Sequence, residues 1–260
     1  MTDKPNLSIA ELDRAIAEER LVLLYQPQVT PADGAIASVE ALIRLRGGDG
    51  ALISPDRFVP IAEMSGQIVA LGKWALRQAC RDAAGWERIA VGVNASPMQF
   101  HDPDFVSFVE TTLRDTGLSP ERLELEITEG AYFDDIDAAE VEVARLRDMG
   151  VGVALDDFGT GYASLTYLRR LKISKIKIDK SFVSDFHSVD SAAIIQGVCA
   201  MARAMGLKIT AEGVETAEQA RFLSSAGAHY MQGYLYSPPL TRDDLAKLLR
   251  ERAAPPPGAP

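Results

Sequence analysis

The chain has 260 residues, a formal net charge of −10 and 47% hydrophobic residues. That length suits one large domain or two small ones, and the acidic balance argues against DNA as a partner, because a broad nucleic-acid surface needs a basic excess. No apolar run approaches the roughly 20 residues of a membrane span, and the start, MTDKPNLSIAEL, lacks the basic residues and apolar stretch of a secretory signal, so a cytoplasmic protein is expected.

Eight apolar, β-rich runs follow one another: residues 21–29, 36–45, 89–96, 123–130, 151–159, 173–182, 207–215 and 230–238. Stretches with apolar residues at helical spacing separate most of them, such as 55–86 and 191–206. Strand–helix alternation of this kind predicts an α/β fold with a parallel sheet, and eight units suggest a closed TIM-like barrel. A capping-box pattern at Thr216 and Gln219 opens one helix, and LTRDDLAKLLRERA (240–253) is the last. One domain over 1–250 and a disordered Pro-rich tail over 251–260 are expected. Cys80 and Cys199 lie in helix-like segments and are expected to be buried. Met64, Met98 and Met201 are expected in the core. His101, His187 and His229 show no metal-ligand spacing, so any ion would be held by oxygens, which favours Mg²⁺ or Mn²⁺.

In such barrels the chemistry sits at the C-terminal ends of the strands. There the runs carry Gln26 (first), Glu40 and Arg44 (second), Asn94 (third), Glu126 and Glu129 (fourth), Asp156 and Asp157 (fifth), Lys177 and Asp179 (sixth), Glu212 and Glu215 (seventh) and Gln232 (eighth). Carboxylates inside apolar runs are costly unless paired, protonated or bound to metal. Five of them converging on one mouth, with only Lys177 and Arg44 nearby, call for divalent cations. The adjacent aspartates suit two ions with one bridging carboxylate, an arrangement used in phosphoryl chemistry. Gly159 and Gly161 let the following loop turn tightly.

The segments YQP (25–27), EALIR (40–44), VNAS (93–96), LEITE (125–129), DDFGTGYASL (156–165), KIDKSFV (177–183), AEGVET (211–216) and QGYLYSPPL (232–240), in this order, resemble the EAL-domain family of cyclic di-GMP phosphodiesterases. The resemblance covers about residues 8–250. Leu45 stands where the family often has tryptophan, and Ala95 where leucine is common; both are packing positions.

The resemblance implies a (β/α)8 barrel variant whose first strand runs antiparallel to the rest. It implies hydrolysis of cyclic di-GMP to linear pGpG by a two-metal mechanism with an activated water. Glu40, Asn94, Glu126 and Asp156 are then expected to hold one Mg²⁺ or Mn²⁺, and Asp156, Asp157 and Glu212 the second. Lys177, Glu212 and Glu40 are expected to be catalytic. Gln26, Arg44 and Gln232 are expected to contact substrate. Glu129 is expected to steady the loop after the fifth run, at about 158–168, and Glu215 and Asp179 to support the site from behind. Ca²⁺ is expected to inhibit. A homodimer through the helix after DDFGTGYASL is also implied. The alternative is a catalytically silent EAL domain that serves as a cyclic di-GMP receptor or interaction module.

Overall fold

A computed structural model describes residues 7–100, 102–128, 136–159 and 165–253. Helix α1 (Ile9–Ala17) comes first, capped by a reciprocal Ser8–Glu11 box. Strands β1 (Leu21–Val29) and β2 (Ile36–Arg46) form an antiparallel hairpin that sets Gln26 opposite Glu40 and Gln28 opposite Ser38. A two-residue strand, β3 (Leu52–Ile53), adds to the end of β2. The chain then alternates. Helices α2 (Val59–Ser65) and α3 (Ile68–Ala84) precede β4 (Ala90–Asn94), and α4 (Pro97–Phe100) and α5 (Phe105–Thr116) precede β5 (Leu123–Thr128). Next come α6 (Ile136–Asp148), β6 (Gly152–Phe158), α7 (Leu165–Leu171), β7 (Lys175–Ile178), α8 (Lys180–Ser184), α9 (Val189–Met205) and β8 (Lys208–Ala211). Finally, α10 (Ala217–Ala226), β9 (Tyr230–Gln232) and α11 (Arg242–Ala253) complete the fold.

The strands run in the order β1-β9-β8-β7-β6-β5-β4-β2, and β2 pairs back onto β1. This closes an eight-stranded barrel, with β3 appended. Strands β2 and β4 to β9 are mutually parallel, and β1 is antiparallel to both its neighbours. The antiparallel first strand follows from the short connection at residues 30–35, which permits a hairpin but not a crossover.

Period-two alternation sorts the strands. Leu123, Leu125, Ile127, Val153, Leu155, Ile176, Ile178, Ile209 and Met231 are buried between barrel and helices. The alternate positions face inward and are strongly polar. Near the N-terminal ends, Lys175 pairs with Glu124 at 2.6 Å and lies 4.9 Å over the Tyr230 ring. One layer higher lie Glu40, Glu126, Lys177 and Gln232, all buried. The barrel interior is therefore a lattice of paired charges and amides that must be satisfied internally. Cys80 and Cys199 are buried and free, as expected. Met64 is not: it is 80% exposed, and Met98 is 40% exposed. Helices as short as α2 and α4 are too brief for apolar spacing to separate a buried face from an exposed one.

Candidate active site

The C-terminal mouth of the barrel gathers nine of the residues expected from the sequence: Gln26, Glu40, Asn94, Glu126, Asp156, Asp157, Lys177, Glu212 and Gln232. At their centre is Lys177, fully buried. Its Nζ lies 2.5 Å from Glu126, 2.7 Å from Glu212, 3.0 Å from Asp156 and 3.4 Å from Glu40. Alternation puts Glu40, Glu126, Asp156 and Lys177 inward on four strands, so their ends meet on the axis.

The adjacent aspartates need a separate explanation, because consecutive strand residues point to opposite faces. Asp157 has φ +55°, and the pairing of β6 with β7 shifts register between Leu155 and Phe158. This bulge turns the Asp157 side chain toward the mouth. Aspartate tolerates the left-handed conformation better than most residues, and the Asp157 N–H donates to Asp156 Oδ1 at 2.9 Å.

Burial opposes the ionisation of Glu40, Glu126, Asp157 and Glu212, and the charges then separate them. For Glu40, the Lys177 ammonium and hydrogen bonds from Gln232 and Asn94 overcome burial and hold its carboxyl below the usual range. For Glu126 burial dominates, and its carboxyl is pushed well above that range despite Lys177. Burial, reinforced by the charges of Asp156 and Glu40, pushes Glu212 up to about 8. Asp157 is raised by burial and by Asp156 and Asp179. Burial alone would lower Lys177, but its surrounding carboxylates raise it well above its ordinary value, so it stays charged.

One ammonium cannot neutralise five carboxylates. Carboxylate oxygens of Glu40, Glu126 and Asp156 lie within 4.8 Å of one another, as do those of Asp156, Asp157 and Glu212. Asp156 is common to both sets. Glu126 Oε1 is buried without a hydrogen-bond partner. Gly92 makes room for it, because a Cβ there would come within 2.1 Å of that oxygen. Asn94 Nδ2 donates to Glu40 Oε1 at 2.7 Å, which leaves the amide oxygen to offer a cation. An all-oxygen donor set with an unsatisfied buried carboxylate oxygen fits hard divalent ions of the Mg²⁺ or Mn²⁺ kind.

The sequence profile of the EAL domain matches residues 9–239. The chain belongs to the EAL domain family. Its curated relatives include two Pseudomonas aeruginosa proteins. The bifunctional diguanylate cyclase/cyclic di-GMP phosphodiesterase MucR is 41% identical over 241 residues, which are 90% of this chain and 35% of that protein. The cyclic di-GMP phosphodiesterase NbdA is 43% identical over 255 residues, or 95% and 33%. The chain thus spans about a third of the length of these relatives. Among solved structures, the PaMucR phosphodiesterase in complex with c-di-GMP superimposes with a TM-score of 0.87 at 41% identity, covering 91% of this chain and 98% of that one. The Pseudomonas aeruginosa FimX EAL domain bound to c-di-GMP gives 0.83 at 26% identity, covering 89% and 96%.

Three further residues of this EAL domain fall differently. Arg44 sits half-buried at the rim, with its Nη1 donating to the Ile43 carbonyl. Burial lowers its pKa, against the opposing charges of Glu40 and Asp56. Asp179 lies just beyond β7 and caps α8, accepting from the Ser181 N–H at 2.9 Å; its hydrogen bonds run there and not to Lys177. The Glu215 side chain is exposed, and its N–H donates to Gln219 Oε1, so it serves the capping box of α10. Glu129 lies outside the described residues.

Sequence inspection missed Gln28 and Ser38, both buried in the interior. Gln28 Nε2 donates to Gln232 Oε1 at 2.9 Å, and the Ser38 hydroxyl donates to Gln28 Oε1 at 2.7 Å. The available signal was alternation: Gln28 is two residues from Gln26, and Ser38 two from Glu40, on the same inner face.

Proposed function

We propose that this chain is a metal-dependent phosphodiesterase that hydrolyses cyclic di-GMP to linear pGpG. The supporting observation is the convergence of four carboxylates on one buried lysine, with Glu126 Oε1 left without a hydrogen-bond partner. The relatedness to MucR and NbdA supports the substrate. Glu40, Asn94, Glu126 and Asp156 would hold one Mg²⁺ or Mn²⁺, and Asp156, Asp157 and Glu212 a second. Ions in such pairs lower the pKa of a water and neutralise phosphate charge.

The protein's own groups then divide the remaining work. Lys177, held charged by its carboxylates, offers a fixed positive charge to the phosphoryl oxygens as they gain charge. Glu212, 2.7 Å from Lys177 Nζ, would help to place the attacking water at the mouth. Glu40, kept ionised, anchors the amides of Asn94 and Gln232. Gln26 and Gln232 bond to each other at 3.1 Å beside Glu40 and face substrate in this proposal. Arg44 at the rim suits phosphate, whose paired oxygens match its planar fork.

Residues 1–250 act as a single EAL-type domain in this proposal; α11 runs to Ala253, three residues into the expected tail, and residues 254–260 lie outside the described residues. Among the described residues no helix is long and apolar enough to cross a membrane, and a cytoplasmic location is part of the same proposal. So is a homodimer through α7; α9 exposes Val189, Ile194 and Met205. Sedimentation of the purified chain tests it.

The decisive experiment incubates the protein with cyclic di-GMP and Mg²⁺ or Mn²⁺ and separates the nucleotides by chromatography, with Glu40→Ala alongside. Formation of pGpG by the native protein alone is expected. Ca²⁺, with its looser geometry, is expected to bind without turnover. Tight binding of cyclic di-GMP without cleavage would instead make the chain a receptor.

A further inference from the structure

We propose that Gln28 and Ser38 are positioning residues that anchor the Gln232 amide in place and thereby hold Glu40 in its cation-binding orientation. This rests on the site being a metal centre, as read above. A glutamine amide has nearly the same shape either way round, so its direction is decided by its neighbours. Gln232 Nε2 donates to Glu40 Oε2 at 2.6 Å and to Gln26 Oε1 at 3.1 Å. Its oxygen is held from below by Gln28 Nε2 at 2.9 Å, and the oxygen of Gln28 is held by the Ser38 hydroxyl at 2.7 Å. Gln26 in turn donates to the Ser237 carbonyl at 3.2 Å.

Every donor in this chain thus points the same way, from Ser38 up to Glu40. Turning Gln232 round would set its carbonyl against the Glu40 carboxylate and its NH2 against the NH2 of Gln28. Both contacts repel. Glu40 and Gln26 therefore set the direction of Gln232, while Gln28 and Ser38 anchor its carbonyl in place; a serine hydroxyl donates or accepts, so it chooses no direction itself.

The result is felt at Glu40. Its Oε1 takes the Asn94 amide at 2.7 Å and its Oε2 takes Gln232, so amide donors hold both oxygens. Without Gln28 the buried Gln232 carbonyl loses its donor, the amide shifts, and the Glu40 carboxylate loses its fixed partner and swings. Gln28 and Ser38 do not bond to Lys177 or to any of the carboxylates, so they act only through Gln232. Groups behind metal ligands typically change metal affinity or activity by about 10–100-fold when removed.

The test uses the full chain and reads Mn²⁺ affinity by titration calorimetry, thermal melting, and kcat and KM for cyclic di-GMP. Gln28→Leu is expected to weaken Mn²⁺ binding about tenfold, to lower kcat more than it raises KM, and to melt close to the native protein. In a Gln232→Ala background the same substitution should change neither affinity nor kcat, because no amide remains to be anchored. Ser38→Ala should shift both in the same direction by less, and it carries the test if Gln28→Leu does not fold. Unchanged Mn²⁺ affinity, or an equal loss with and without Gln232, would overturn the proposal and leave these residues as packing. Weakened Mn²⁺ binding in the variants of a protein that does not cleave cyclic di-GMP would support the positioning role and sink only the phosphodiesterase assignment.

Discussion

Gly92→Ala places one methyl group against the least adjustable part of the site. An ideal Cβ at Gly92 would lie 2.1 Å from Glu126 Oε1 and 3.0 Å from its carboxyl carbon. Ordinary contact needs roughly 3.4–4 Å, so the carboxylate must move by more than 1 Å. It is fully buried and tied to Lys177 at 2.5 Å, so the movement breaks that bond. Overpacking of this kind costs about 1–3 kcal/mol, and separating a buried charge pair adds to it. The expected loss is about 2–5 kcal/mol, or roughly 5–15 °C in Tm for a chain of this size. Gly197→Ala is the control. Position 197 lies in α9 with nothing within 4 Å of the added Cβ, and there alanine should stabilise by up to ~1 kcal/mol. Differential scanning calorimetry and Mn²⁺ titration of both variants decide the matter. A Gly92→Ala protein that melts with the native one and binds Mn²⁺ equally well would refute the placement of Glu126 across Gly92.

Three other outcomes follow from single groups. The carboxyl of Glu142 in α6 is pushed up by burial to about 6, from a usual 4.5. Its folded form therefore holds the proton more tightly; this contribution is fully present below pH 4.5 and is lost as pH rises through about 6. Such a shift is worth about 2 kcal/mol, reduced to about 1 kcal/mol by solvent screening; Glu142→Gln should be more stable by that amount at pH 7 and flatten the pH dependence of urea unfolding between those values. Asp157→Asn keeps a residue that tolerates φ +55° but removes a half-buried charge. In chelator it should melt higher than the native protein by a few degrees, yet take up less Mn²⁺ at saturation; a lower Tm would count against the raised pKa of Asp157. Tyr25→Phe removes the 2.6 Å hydrogen bond to the buried carboxylate of Asp82. A bond to a charged partner is worth about 1.5–3 kcal/mol, so unfolding should occur at lower denaturant while turnover per folded molecule is unchanged.

The barrel was legible because two periodicities alternate along the chain, and the acids stood out because they interrupt apolar runs at like places. Glu40, Asn94, Glu126 and Lys177 could be picked as a set from strand ends alone. The limits were equally physical. The run 173–182 read as one strand, but Asp179 leaves the ladder to cap α8, so alternation no longer placed it beside Lys177. Gln28 and Ser38 did not stand out in the sequence, because only the β1–β2 register sets them across from each other inside the barrel.

What the sequence determined by itself is what strand periodicity and burial can carry: which side chains face inward, that acids recur at one end, and that the charge there is unbalanced. What only the tertiary structure decided is how those groups divide the charge. Two neighbouring aspartates share a mouth because a bulge at φ +55° turns one of them. A single lysine serves four carboxylates because four strands end around it. Glu40 is held below its usual pKa while Glu126 and Glu212 are held above theirs. Such differences arise from distances between residues far apart in the chain, in an interior where each ångström changes the interaction, and residue order does not contain those distances.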